Sequence, residues 1–197
     1  MKKLVIASNN SHKIIEIKEI LKDKFRPILS LNEFGVKIEP EETGKTFFEN
    51  ALIKAKAVCE ATNCAALADD SGLMVDALGG APGVISARFA GGHGNDLANN
   101  YKLLKLMEQI NDRSCQFVSS VVLYYPNKKI VEGYGTSKGV LLRYFDGNNG
   151  FGYDPLFFCS DLQKTFANAN AEEKNKVSHR FRALKDLLDK LDNSGDK

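Results

Sequence analysis

Histidine and cysteine are scarce in this 197-residue chain and lie apart from one another: His12, His93 and His179 are scattered singly, and Cys59, Cys64, Cys115 and Cys159 form no C-x-x-C pair. A structural zinc site needs closely spaced thiolate and imidazole ligands, so zinc is not expected. The thiols fit small buried hydrophobes in a reducing compartment, which makes the cytoplasm the expected location, although spacing alone leaves a disulfide open. Long apolar runs are missing too. Leu4 to Ala7, behind Met1-Lys2-Lys3, is too short for a signal-peptide core, and no later run approaches the roughly 18 apolar residues of a membrane span. Nor does charge of one sign dominate. Twenty-seven basic residues against 25 acidic give a formal net charge of +2, which argues against coating a nucleic-acid polymer or an anionic membrane through bulk charge. Any anionic ligand must be held by local charges. Repeats, low-complexity tracts and interdomain linkers are also lacking.

What is present is a globular mixture, 43% apolar and 26% charged. At this length folding removes roughly 70% of the surface the unfolded chain exposes, so one domain over residues 1–197, with two lobes within it left open, needs no metal or disulfide staple. Leu4 to Ala7 predicts a buried strand, and Ile14, Ile17, Ile20 and Leu21 trace a helix after a polar turn. Pro27 demotes the segment around Ile28 and Leu29 to an edge strand or loop, and Val36-Lys37-Ile38 alternates like another short strand. Thr46 to Glu49 has the capping-box form and opens a helix that should end near Asn63. Ala65 to Ala68 then predicts an interior strand that delivers Asp69-Asp70 at its end. Asn95 or Asp96 caps a helix through Met107. Phe117 to Tyr125 and Ile130 to Thr136 form a hairpin, and Val140 to Tyr144 a third strand. Ser178 caps an amphipathic last helix, leaving 192–197 as a frayed tail. Strands alternating with helices around a hairpin imply an α/β layered fold with a mixed β-sheet, whose binding sites lie beyond strand C-termini.

Three clusters can carry chemistry. Ser8-Asn9-Asn10-Ser11-His12-Lys13 is a strand-to-helix turn whose hydroxyls, amides and free helix N–H groups suit phosphate oxygens, with Lys13 as countercharge; it lacks the glycines of a P-loop. Asp69-Asp70, with Glu41 and Glu42 on a separate loop, offers oxygen ligands for Mg²⁺, which takes one or two carboxylates and fills its other positions with water and phosphate. The second acid can draw a proton from an attacking water. Phe151-Gly152-Tyr153-Asp154-Pro155, with Lys174 and Ser178-His179-Arg180, provides aromatic faces and donors suited to a purine O6 and unsuited to an amino group there. Each cluster also has a structural reading: an ordinary helix cap, a solvated acidic loop, or core aromatics beside a solvated basic helix start. Phe47, Phe48 and Met107 fit the core, His93 a loop, and Arg88 a surface ion pair or a phosphate contact.

Taken together these segments resemble the inosine triphosphate pyrophosphatase family, the XTP/dITP diphosphatases. The resemblance rests on Ser8 to Lys13, Glu41-Glu42-Thr43-Gly44 with Thr46 to Ala51, Ala68 to Leu73, Gly79-Gly80-Ala81-Pro82-Gly83 with Ser86-Ala87-Arg88, Phe151 to Pro155, and Ser178-His179-Arg180, in that order. It implies an elongated α/β subunit in a homodimer that converts ITP, dITP or XTP to the monophosphate and pyrophosphate with Mg²⁺. Asp70 then matches the catalytic acid and a metal ligand, Glu41 the other metal carboxylate, and Glu42 and Asp69 are second choices. Ser8, Asn9, Asn10, Ser11, His12, Lys13 and Ser71 match substrate contacts. Phe151, Gly152, Tyr153, Asp154, Lys174, His179 and Arg180 match the base-end pocket, where Asp154 either accepts from the base or orients Lys174 or Arg180. Two other readings remain: a Maf-like pyrophosphatase for modified or pyrimidine nucleotides, which would prefer UTP or dTTP, and a non-catalytic nucleotide-binding module, which would return ITP unchanged.

Overall fold

The structure, a computed structural model, describes residues 2–92 and 94–193. His93 and residues 194–197 of the expected tail lie outside the described residues. The elements run β1 (Lys2–Ile6), α1 (Ser11–Leu21), β2 (Phe25–Ser30), α2 (Leu31–Phe34), α3 (Phe47–Thr62), β3 (Ala65–Val75), α4 (Asp96–Leu106), β4 (Ser114–Tyr124), β5 (Ile130–Leu141), β6 (Phe157–Cys159), β7 (Lys164–Thr165), α5 (Ala171–Val177) and α6 (His179–Asn193), with short 3-10 turns at Asp76–Leu78 and Gly83–Arg88. The seven strands lie in the order β2-β1-β3-β4-β5-β6-β7. β1 pairs in parallel with β2 and β3, whereas β6 is antiparallel to β5 and β7. The sheet is therefore mixed, as expected, and Pro27 sits in the edge strand β2, where a missing N–H is tolerated. Among the described residues no helix is long and apolar enough to cross a membrane.

The chain divides into two compact units: residues 1–70, 119–135 and 180–197, and residues 71–118 and 136–179. In the first unit the period of two along each strand sends alternate side chains to separate clusters. Leu4, Ile6, Ala65, Leu67, Val121 and Leu123 pack with Ile17 and Leu21 of α1 and Leu184, Leu187 and Leu191 of α6. Val5, Ala7, Ala66, Ala68, Val122 and Tyr124 pack with Ala51, Ala55 and Val58 of α3. That two-sided burial explains why β1 and the start of β3 are continuous apolar runs. The second unit has its own core, in which Leu73, Val75, Leu103, Met107, Phe117, Phe157 and Phe166 are buried. Each fully buried Leu or Phe contributes roughly 1.5–3 kcal/mol.

Several expectations need correction. Val36 to Ile38 form no strand; Val36 and Ile38 pack against the α3 cluster from an irregular segment that follows Gly35, the left-handed cap of α2. β3 does not end at Asp69-Asp70 but continues to Val75. What ends there is its ladder with β1, whose last register pair is Ile6 with Leu67. The third strand expected at Val140 is the end of β5. Ser137 and Gly139 do not interrupt it, because the Ser137 hydroxyl donates to the Val177 carbonyl at 2.6 Å and the missing Cβ of Gly139 admits the Phe157 ring and the Phe158 carbonyl. α5, not anticipated, opens on a capping box between Asn170 and Glu173. Asp192 and Asn193, expected to fray, belong to α6.

Candidate active site

Asp69 and Asp70 are consecutive in β3, so the pleat sends them to opposite faces. Asp69 continues the Ala65–Leu67 series toward α1 and α6, and Asp70 the Ala66–Ala68 series toward α3. Their surroundings differ accordingly. The buried Asp69 carboxylate accepts from the Ser119 hydroxyl of β4 at 2.5 Å, from Lys13 Nζ at 2.7 Å and from Arg180 Nε and Nη2 at 3.2 Å. Burial by itself would raise its pKa, but the Arg180 and Lys13 charges outweigh that and hold it well below the usual carboxylate range. Lys13 in turn has a lowered pKa, because burial exceeds the support from Asp69. The Arg180 guanidinium also pairs with Glu16 Oε2 at 2.5 Å.

Asp70 is held from α3 instead. Its Oδ2 accepts from Asn50 Nδ2 at 3.3 Å and its Oδ1 from Lys54 Nζ at 2.9 Å. Asn50 and Lys54 are four apart and share one helix face. The Gly44 N–H donates to Asn50 Oδ1 at 2.8 Å, which turns the amide so that Nδ2 faces the acid. A Cβ at Gly44 would lie 2.6 Å from that same oxygen, so glycine is required for the approach. Lys54 Nζ also donates to Glu42 Oε1 at 2.8 Å and to the Asp69 carbonyl at 3.1 Å. Burial raises the Asp70 pKa, and Lys54 and Lys13 only partly oppose it. For Lys54 the balance is reversed: burial lowers its pKa, but the Asp70 and Glu42 carboxylates outweigh it and the net shift is upward. The pKa values of two neighbouring acids are thus displaced in opposite directions, Asp69 downward by its cations and Asp70 upward by burial.

In the same unit, the turn from Ser8 to Lys13 joins β1 to α1. Asn10 caps the helix by accepting from the Lys13 N–H at 3.2 Å, and Ser8 Oγ accepts from the Asn10 N–H at 3.2 Å. Asn9, Ser11 and His12 are exposed there, at the N-terminus of an eleven-residue helix. Glu41 is exposed and makes no ion pair among the described residues, whereas its neighbour Glu42 reaches Lys54. Arg180, expected at the base end, is held by Asp69 and Glu16. Adjacent helix residues point about 100° apart, so Arg180 enters the Asp69 cluster while His179 stacks on Phe117 at 4.7 Å.

In the second unit, Asp154 Oδ2 accepts from Lys174 Nζ at 2.6 Å and from the Phe151 N–H at 3.0 Å. This ion pair holds the Lys174 ammonium, one of the roles expected of Asp154. The Lys174 ammonium lies 4.8 Å from the Phe151 ring centroid and 5.3 Å from that of Phe166, within cation–π range. Tyr153 is buried, its hydroxyl donating to the Ser86 carbonyl at 2.9 Å. Ser71 is half-buried in β3, and the next residue, Gly72, sits where a Cβ would meet the Ser86 hydroxyl and the Gly83 carbonyl. A separate cavity of about 490 Å³, lined by Tyr101, Leu104, Lys105, Glu108, Arg113 and Arg143, holds none of the predicted site residues. Its arginines donate to the carbonyls of Met107, Glu108 and Ile110 at the end of α4 and so serve the fold.

The sequence reading missed Asn50, Lys54, Ser119 and Glu16. Asn50 and Lys54 left a faint signal, as polar residues four apart beside the apolar stripe of α3; Ser119 and Glu16 left none beyond their type.

The Ham1 family model matches residues 4–190. The chain is 49% identical to the dITP/XTP pyrophosphatase of Clostridium perfringens, over 97% of this chain and 98% of that protein. It is 48% identical to the dITP/XTP pyrophosphatase of Desulforamulus reducens, over 96% and 95% respectively. Among solved structures, the Staphylococcus aureus Ham1 protein superposes with a TM-score of 0.87 at 41% identity, covering 100% of both chains.

Proposed function

The chain belongs to the Ham1 family, and on that premise we propose that it hydrolyses the non-standard purine nucleotides ITP, dITP and XTP to the monophosphate and pyrophosphate. The observation that carries the reading is Asp70: a buried carboxylate with a raised pKa, aimed by Asn50 and Lys54, at the point where the β1–β3 ladder ends. Asp70 orients a water and accepts its proton as the α-phosphorus is attacked, and pyrophosphate leaves. The α1 turn, Ser8 to Lys13, binds the phosphates, with Ser71 as a further contact. Asp69 holds Lys13 in place from below.

The donor set of the first unit fits Mg²⁺. Asp70 and Glu42 converge on one cationic point, the Lys54 ammonium, and a hard dication carried largely by phosphate oxygens needs only one or two protein carboxylates. Among the described residues no three His, Cys, Asp or Glu side chains group to hold a metal by themselves. Asp70 with Glu42, ahead of the exposed Glu41, would hold it, and it would neutralise phosphate charge. In the second unit Lys174 donates to the base O6, Phe151 and Tyr153 provide aromatic surface, and His179 and Gly152 complete the base-end group. Adenine would leave those donors unpaired, and polar discrimination of this kind reaches about 10⁴-fold. The homodimer and a cytoplasmic location belong to the same proposal; the four cysteines, all free thiols, support the latter.

Pyrophosphate and orthophosphate release from ITP, XTP, GTP, ATP and UTP, with and without Mg²⁺, tests the reaction. Pyrophosphate from ITP and XTP, dependent on Mg²⁺, is the expected result. A preference for UTP, or ITP recovered intact, would overturn it.

A further inference from the structure

Asp96 and Asn100 stand one turn apart on α4, and both reach the loop carrying Phe151 and Tyr153. The Gly152 N–H donates to Asp96 Oδ2 at 2.6 Å, and the Gly152 carbonyl accepts from Asn100 Nδ2 at 2.8 Å. Asn100 Nδ2 also donates to the Asp96 carbonyl at 2.7 Å. Both backbone polar groups of Gly152 are therefore held by side chains of one helix, distant in sequence. Gly152 has φ +61°, a left-handed conformation that glycine adopts at little cost. On either side the Phe151 N–H is tied to Asp154 and the Tyr153 hydroxyl to Ser86.

Helix capping does not account for these contacts. Asn95 is the N-cap of α4, accepting from the Ala98 N–H at 3.0 Å, which leaves the Asp96 carboxylate to the loop. The Asn100 amide is oriented by its donors, both directed at carbonyls, and its buried Oδ1 has no hydrogen-bond partner among the described residues. Reversing the amide would set an oxygen against the Gly152 and Asp96 carbonyls, so the Gly152 contact fixes it.

We propose that Asp96 and Asn100 are positioning residues for base recognition. By immobilising the Gly152 peptide they keep the Phe151 ring and the Lys174 ammonium at one separation, and so set the preference among purine bases. The inference rests on the nucleotide reading given above.

The test is steady-state kinetics with ITP and GTP for the native chain and for Asp96→Ala, Asp96→Asn and Asn100→Ala, with melting temperatures alongside. Asp96→Ala is expected to raise KM for ITP about tenfold and to narrow the ITP-over-GTP ratio of kcat/KM, with kcat within about twofold. Asp96→Asn keeps an acceptor for the Gly152 N–H and should restore most of the loss. A lowered melting temperature with unchanged KM and unchanged ratio would make Asp96 structural only and overturn the inference. Should Asp96→Ala not fold, Asn100→Ala carries the same expectation and the same refutation. If the native chain itself shows no preference for ITP, the substrate reading fails. KM for the nucleotide it does cleave then decides the positioning role, a rise in the variants supporting it and no change refuting it.

Discussion

The two units solve the burial of charge differently. In the first, five cationic or hydrogen-bonding side chains from α1, α3, α6 and β4 converge on two consecutive aspartates, and Glu16 and Glu42 extend the network. In the second, one ion pair, Asp154 with Lys174, sits among the rings of Phe151 and Phe166. A dense network fixes several charges at once and lets their pKa values diverge, which suits proton transfer and the handling of phosphate. A single pair beside aromatic faces presents one aimed donor, which suits telling one carbonyl from one amino group. The same contrast recurs within β3, where the strand period gives Asp69 the cations that depress its pKa and leaves the pKa of Asp70 raised by burial.

The largest expected effect lies at Asp70. Asp70→Asn should lower turnover about 10²- to 10⁴-fold in a pyrophosphate-release assay while the denaturant midpoint stays near native; near-normal turnover would mean that the wrong acid has been assigned. Asp69→Ala should do the reverse first. It leaves Lys13 buried without its carboxylate and Arg180 with Glu16 alone, and denaturant titration should show a loss of about 3–5 kcal/mol. Lys174→Met, in the second unit, should raise KM for ITP about tenfold with kcat within a few-fold; an equal fall in kcat would contradict the binding role proposed for Lys174. Acid should also separate the two aspartates. As pH falls through the raised pKa of Asp70, the base protonates and kcat drops while Asp69 remains ionised. The stability contributed by Asp69, whose folded pKa is depressed, is fully present above its unfolded value of 3.8 and is lost only as pH falls further, toward its folded value. A kcat–pH profile beside an acid-unfolding curve checks this, and coincident transitions would contradict it. The smallest effect is at the acidic loop: Glu42→Gln should weaken activity several-fold, and the exposed Glu41→Gln by no more than about twofold.

Much of this was legible in the linear pattern. The capping box at Thr46 and Glu49, the stop at Asn63 and the edge strand at Pro27 all rest on local rules that tertiary packing did not override. The acidic pair, the turn at Ser8 to Lys13 and the 151–154 loop stood out because polar residues interrupted apolar runs. The Val36 segment misled because two apolar residues at a spacing of two are satisfied by packing alone, without a ladder. β5 was divided because Gly139 resembles a turn residue until the ring of Phe157 is seen against it. Lys54 and Ser119 were not found because a lone lysine on a helix and a serine in a strand are commonplace until a buried carboxylate lies opposite.

The amino-acid sequence by itself determined the alternation of strands and helices, the caps and the identity of the groups able to do chemistry, because these follow from side-chain volume, backbone propensity and spacing within a few residues. Only the tertiary structure decided which aspartate has its pKa lowered and which raised, that Arg180 pairs with Asp69, and that Asp154 holds Lys174. Those outcomes depend on desolvation and on charges brought together from far along the chain, and Coulomb energy at a few ångströms is set by position in space, not by distance in sequence.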